Sequence, residues 1–181
     1  MEIIALNSED NWLIHQAAEV LWMAFQPHWP AAWPDLEAAF EEVNEMVQPE
    51  RICRVALHGD TVLGWVGGIP QYDGNVWELH PLAVHPEYQR QGVGRALVKD
   101  FEAQVKARGG LTITLGSDDE DEMTSLSGVD LFTNPWEHIA QIRNFKGHPY
   151  EFYQKLGYTI TGVVPDANGR GKPDILMSKR V

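Results

Sequence analysis

An α/β sandwich, one mixed and mostly antiparallel sheet flanked by helices, is the architecture written into these 181 residues. Helical and strand periodicities alternate along the whole chain, with no internal repeat and no linker. Gly59-Asp60 between two apolar runs is a favoured two-residue hairpin turn. A strand, a glycine-rich loop and an amphipathic helix then follow one another from Trp77 to Arg108. The length and the 44% apolar share suit one hydrophobic core, so a single domain over 1–181 is expected.

The elements read off in order. Glu2 to Leu6 forms a short strand, and Asn7 or Ser8 caps a helix in which Leu13, Ala17, Val20, Leu21, Ala24 and Phe25 recur at three and four, ending at Pro27. A second helix opens at Asp35, gathers Leu36, Ala39, Phe40, Val43, Met46 and Val47 on one face, and stops before Pro49. Ile52 to His58 and Thr61 to Gly68 form the hairpin. Trp77 to Val84 is the next strand, Val93 to Arg108 a helix stopped by Gly109-Gly110, and Leu111 to Leu115 a strand. An acidic loop, a helix around Pro135 to Arg143, a helix from Pro149 to Leu156, and strands Tyr158 to Val164 and Asp174 to Lys179 complete the chain.

Composition narrows the function. Fourteen basic against twenty-six acidic side chains give a formal charge of −12, and Asp118 to Glu122 are five consecutive acids. Nucleic acid is a poor partner for such a surface, whereas a polycation is drawn to it. The amino terminus has two early acids and no basic segment before an apolar core, which points away from a membrane and to the cytoplasm. Cys53 is the only cysteine and the seven histidines never fall into HExxH spacing, so no metal is implied. Cys53 reads as a small half-buried strand residue rather than a nucleophile.

The run QRQGVG, Gln89 to Gly94, carries the chemistry. Gly92 and Gly94 let the backbone approach a ligand, and the helix opening there aims unpaired N–H groups at an anion. A pyrophosphate suits it. The run is neither the GxxxxGK[ST] of a Walker loop nor the GxGxxG of a dinucleotide site. Its pattern, Q/R-x-x-G-x-G/A after a strand, resembles the acyl-coenzyme A loop of the GCN5-related N-acetyltransferases, and EFYQKLGY (151–158) resembles their second signature. With WELHPLAV (77–84), SDDEDE (117–122) and HPYEFYQKLGY (148–158), the chain from about Pro49 onward is similar to the aminoglycoside 6′-N-acetyltransferase branch.

That resemblance implies acetyl-CoA as cosubstrate and a sheet splayed at its fourth and fifth strands. Period-two alternation sets Glu78 and His80 on the face opposite Trp77 and Leu79, and Pro81 deletes a ladder donor, which demands a bulge or an edge. By resemblance, the backbone N–H of Leu82 points at the thioester carbonyl. The main chains of Leu82, Ala83 and Val84 pair with pantetheine, and Gln89, Arg90, Gln91, Gly92, Val93, Gly94 and Arg95 hold the diphosphate. Arg95 is also a candidate as a solvated basic residue. Glu78 is the candidate base for the amine, with His80 either relaying the proton or bonding to the chain. Tyr153 falls where the family places a tyrosine beside the coenzyme sulfur.

The resemblance also places the substrate. Asp118, Asp119 and Asp121 face the ammonium groups of an aminoglycoside, and Tyr72 resembles a family substrate contact. Trp29 and Trp33 could wall the same cleft or pack between the first two helices. A homodimer is expected, since relatives commonly are. Two alternatives stay open at this stage: acetylation of a polyamine or of a protein or peptide amine, and a catalytically silent coenzyme A-binding sensor.

Overall fold

The structure, a computed structural model, describes residues 1–181. Backbone contacts divide them into two compact units, Met1–Ile113 with Val181, and Thr114–Arg180. The first holds β1 (Glu2–Ala5), α1 (Asn11–Phe25), α2 (Leu36–Met46), β2 (Ile52–His58), β3 (Thr61–Gln71), β4 (Val76–Val84) and α3 (Val93–Ala107). β5 (Thr112–Asp118) begins at its end, and the second unit continues with α4 (Pro135–Ala140), α5 (Tyr150–Lys155), β6 (Thr159–Val164) and β7 (Asp174–Arg180). The sheet has seven strands: in the first unit the order is β1-β2-β3-β4, all antiparallel, and in the second β5-β7-β6. No helix is long and apolar enough to cross a membrane.

In the first unit the sheet is covered on both faces. α1 buries Ile14, Ala17, Ala18 and Leu21, and α2 buries Ala39, Val43 and Met46, against Cys53, Val55, Trp65 and Ala83. The indole of Trp65 donates to the Ala17 carbonyl at 2.9 Å, so this wholly buried ring leaves no polar atom unpaired. α3 covers the opposite face through Leu97, Val98, Phe101 and Val105. Arg54 on β2 reaches Asp100 on α3 with two charge-assisted bonds of 2.6 and 3.2 Å.

The elements depart from expectation at their ends. α1 starts at Asn11, because the Asp10 carboxylate accepts from the Asn7 backbone and holds residues 7–10 in a turn, so neither Asn7 nor Ser8 caps the helix. Asp35 caps α2, accepting from the Ala38 N–H at 2.9 Å. β3 runs three residues past Gly68, with Pro70 opposite Trp77. β5 reaches Asp118, so the acidic run begins on a strand, and α4 ends at Ala140 rather than near Arg143.

Pro81 is accommodated by the bulge its position demands. Val66 pairs with Leu82 and Gly68 with Leu79, so His80 and Pro81 together stand opposite Gly67. The extra residue reverses the alternation. Before it, Trp77 lies on the α3 face under the Arg108 guanidinium while His80 faces α2; after it, Ala83 joins Trp65 on the α1/α2 face. Gly67 permits this because a Cβ there would collide with the His80 carbonyl and with Met46. Replacement Gly67→Ala is expected to destabilise the fold by about 1–3 kcal/mol, read as a lower urea midpoint at unchanged m-value.

Candidate active site

β4 presents Glu78 and His80, both half-buried, on the face that α1 and α2 cover. The Glu78 Oε2 accepts from the Gln71 amide at 2.6 Å, which fixes the carboxylate from the neighbouring strand. His80 turns its Nε2 toward Glu42 of α2, 3.8 Å away, and its ring lies 6.1 Å from that of Trp33. The side chain that the His80 ring nitrogen meets is thus Glu42. Trp33 itself is buried edge-on against Phe25, between the first two helices, and Trp29 packs on Phe25 and His28. Tyr72 sits at the β3–β4 tip in left-handed backbone and is 76% exposed.

Beyond β4 the chain turns through Pro86–Tyr88 into the glycine loop. The Gln89 side chain donates to the Val84 carbonyl, the Gln91 side chain to the Glu87 carbonyl at 2.7 Å, and the His85 ring accepts from the Glu87 N–H. Their side chains brace the loop from within. α3 then starts from Gly92, at φ 90°, with no side-chain cap. The first amides of the helix, at Val93, Gly94 and Arg95, therefore point outward without a partner from a cap. Arg90 and Arg95 are exposed and held by no ion pair. A cradle of bare amides with two exposed cations is suited to a diphosphate.

In the second unit the acidic run is a folded knot. Asp119 is wholly buried, and its carboxylate accepts from the Met123 N–H at 2.6 Å, the Thr124 N–H at 2.9 Å, and the hydroxyls of Thr124 and Ser127 at 2.7 Å each. Burial alone would push its pKa up, but the bonds from Thr124, Met123 and Ser127 and the neighbouring His148 outweigh it, and the carboxyl lies below its usual value. Asp119 thus points inward, unlike Asp118 and Asp121, which are exposed. Asp118 accepts from the Asn168 side chain, and Lys146 donates to the Asp121 carbonyl at 2.8 Å.

Tyr153 is buried on α5, its ring edge-on to Phe152 and to Tyr158 at 5.0 and 5.7 Å. Burial raises its pKa well above the ordinary phenol value. A phenol so placed is a hydrogen-bond donor and a poor proton source. Cys53 is buried and its thiol is pushed up to about 12 by burial, so it is not a thiolate at neutral pH. Sequence reasoning assigned neither Gln71 and Glu42, which meet Glu78 and His80 in the first unit, nor Asn144 and His148 in the second. Only His148 had a signal, as the first residue of HPYEFYQKLGY.

Against known proteins, the profile of the acetyltransferase (GNAT) family matches residues 14–125. A solved aminoglycoside 6′-N-acetyltransferase complexed with coenzyme A is similar at 42% identity and a TM-score of 0.91, covering 99% of this chain and 97% of that one. The aminoglycoside 6′-N-acetyltransferase from Enterococcus faecium gives the same identity and coverage with a TM-score of 0.89. Aminoglycoside 6′-acetyltransferase type Ii gives 37% and 0.76 over the same shares.

Removing the Asp119 carboxylate strands three buried donors and the half-buried Ser127 hydroxyl. Asp119→Ala is expected to lower the unfolding free energy by about 3 kcal/mol at neutral pH, measured by urea denaturation. Because the native pKa lies below the unfolded one, this contribution is present above the unfolded value of about 3.9 and is lost as pH falls through the native value. The deficit of the variant should narrow accordingly on acidification.

Proposed function

Because the chain belongs to the GNAT family of acetyltransferases, we propose that it carries the acetyl group of acetyl-CoA to the 6′-amine of an aminoglycoside. It is an acetyl-CoA-dependent N-acetyltransferase. One observation supports the assignment from the geometry: past β4 and the Pro86–Tyr88 turn, α3 opens on an uncapped left-handed Gly92, leaving amides and the Arg90 and Arg95 guanidiniums for the diphosphate of coenzyme A. The aminoglycoside rests on the full-length likeness to enzymes acting on that substrate.

The reaction we propose is direct transfer. The neutral amine attacks the thioester carbonyl, a C–N bond forms, the oxyanion is met by the Leu82 N–H, and collapse breaks the C–S bond. Glu78, oriented by Gln71, takes the proton that the amine must lose, directly or through a water. The Tyr153 hydroxyl donates a hydrogen bond to the departing sulfur and keeps its own proton, in line with its raised pKa. Solvent protonates the thiolate. Leu82, Ala83 and Val84 act through their main chains along pantetheine. Asp118 and Asp121 hold ammonium groups, assisted by His80, Tyr72 and Trp29, while Asp119 serves substrate binding by shaping their loop. We place the enzyme in the cytoplasm as a homodimer of one domain per chain, where it would confer aminoglycoside resistance.

Glu78→Gln is expected to reduce kcat/KM by about 10²-fold or more at neutral pH, with the loss shrinking as rising pH deprotonates the amine unaided; Cys53→Ala should retain full turnover. Free-thiol release from acetyl-CoA with kanamycin, spermidine and a lysine peptide tests the substrate. Release with kanamycin well above the other two is the expected result. Equal release with all three would defeat the aminoglycoside assignment, and release with none would leave a coenzyme A-binding protein.

A further inference from the structure

His148 is buried, has no part in the transfer described above, and uses every polar atom it has. Its Nε2 lies 3.0 Å from the Asp118 carbonyl, which can only accept, so Nε2 carries the hydrogen. Its Nδ1 lies 3.2 Å from the Tyr150 N–H, which can only donate, so Nδ1 must be bare. The Asn144 side chain holds the backbone on both sides, accepting from the His148 N–H at 2.7 Å and donating to its carbonyl at 3.0 Å. The ring therefore has one satisfied state, neutral and protonated on Nε2.

That state joins two parts of the site. One bond ends at Asp118, where the acidic run begins; the other ends at the first residue of α5, one turn before Tyr153. We propose that His148 is a positioning residue whose neutral Nε2–H tautomer couples the acidic loop to α5, and that a proton taken up at Nδ1 breaks the coupling. A second hydrogen on the ring would face the Tyr150 N–H, two donors with no acceptor between them. The ionisable groups around the ring are Asp118 and Asp119 from β5 and its loop and Tyr150 from α5, with Glu151 and Lys155 of α5 lining the same pocket as His148. Burial lowers the pKa of the ring, with the Asp118 carbonyl and the two aspartates opposing. The neutral tautomer thus persists below the ordinary histidine range, and the coupling is lost only on further acidification.

The inference rests on the roles proposed for Tyr153 and the acidic loop, so its test has two arms. In nitrogen-resolved NMR of the intact protein, His148 should show the Nε2–H tautomer. As it titrates, the amides of Tyr150 and of residues 119–124 should shift with the same midpoint as the ring. In thiol-release kinetics, His148→Gln keeps a donor and an acceptor but cannot titrate, and should retain kcat at neutral pH while its acid limb moves to lower pH. His148→Phe should lose about tenfold in kcat with KM for acetyl-CoA within about twofold. An Nδ1–H tautomer, amides that ignore the ring, or an acid limb unmoved by His148→Gln overturns the proposal. A wild-type protein inactive toward every amine defeats the functional reading instead, and the NMR arm alone then decides the coupling.

Discussion

One extra residue in β4, set against a position where only glycine fits, organises the first unit. A strand alternates its side chains strictly, so without the bulge the run from Trp77 to Val84 would keep one parity throughout. With His80 and Pro81 sharing Gly67, the strand presents Glu78 and His80 to the α1/α2 face and still buries Ala83 there. Polar and apolar requirements that conflict in a regular strand are met in sequence along a bulged one. The backbone beyond the bulge, at Leu82 to Val84, leads directly to the glycine loop.

The second unit solves a different problem, that of crowding carboxylates. Five consecutive acids repel one another, and a loop holding them would stay extended in solvent. Turning one inward changes this. Asp119, fed by two amides and two hydroxyls, becomes the centre around which residues 119–127 fold, and the outer acids are carried on a fixed frame. A buried carboxylate stripped of water is costly unless every lone pair finds a donor, and here four donors are supplied from within eight residues.

Most of the framework was legible because it is local. Helix faces at Leu21 and Val43, the Gly59-Asp60 hairpin, and the stop at Gly109 follow from periodicity and turn chemistry. Even the bulge could be inferred, since a proline cannot serve an interior strand. What was not legible is pairing at a distance: Glu42 reaches His80 from another helix, Gln71 reaches Glu78 across a turn, and His148 meets Asp118 thirty residues away. Periodicity assigns a side chain to a face and says nothing about its neighbour. For the same reason three aspartates read as equivalent in sequence, although one of them faces the interior.

Two exposed arginines, at the glycine loop and in the first turn of α3, have a kinetic corollary in a chain with net charge −12. The far field of the protein repels an anionic nucleotide and draws in a polycation, while the contacts that retain the nucleotide are short-ranged. Added electrolyte should therefore quicken capture of the coenzyme and slow that of the amine, so the two association rates respond to ionic strength in opposite directions.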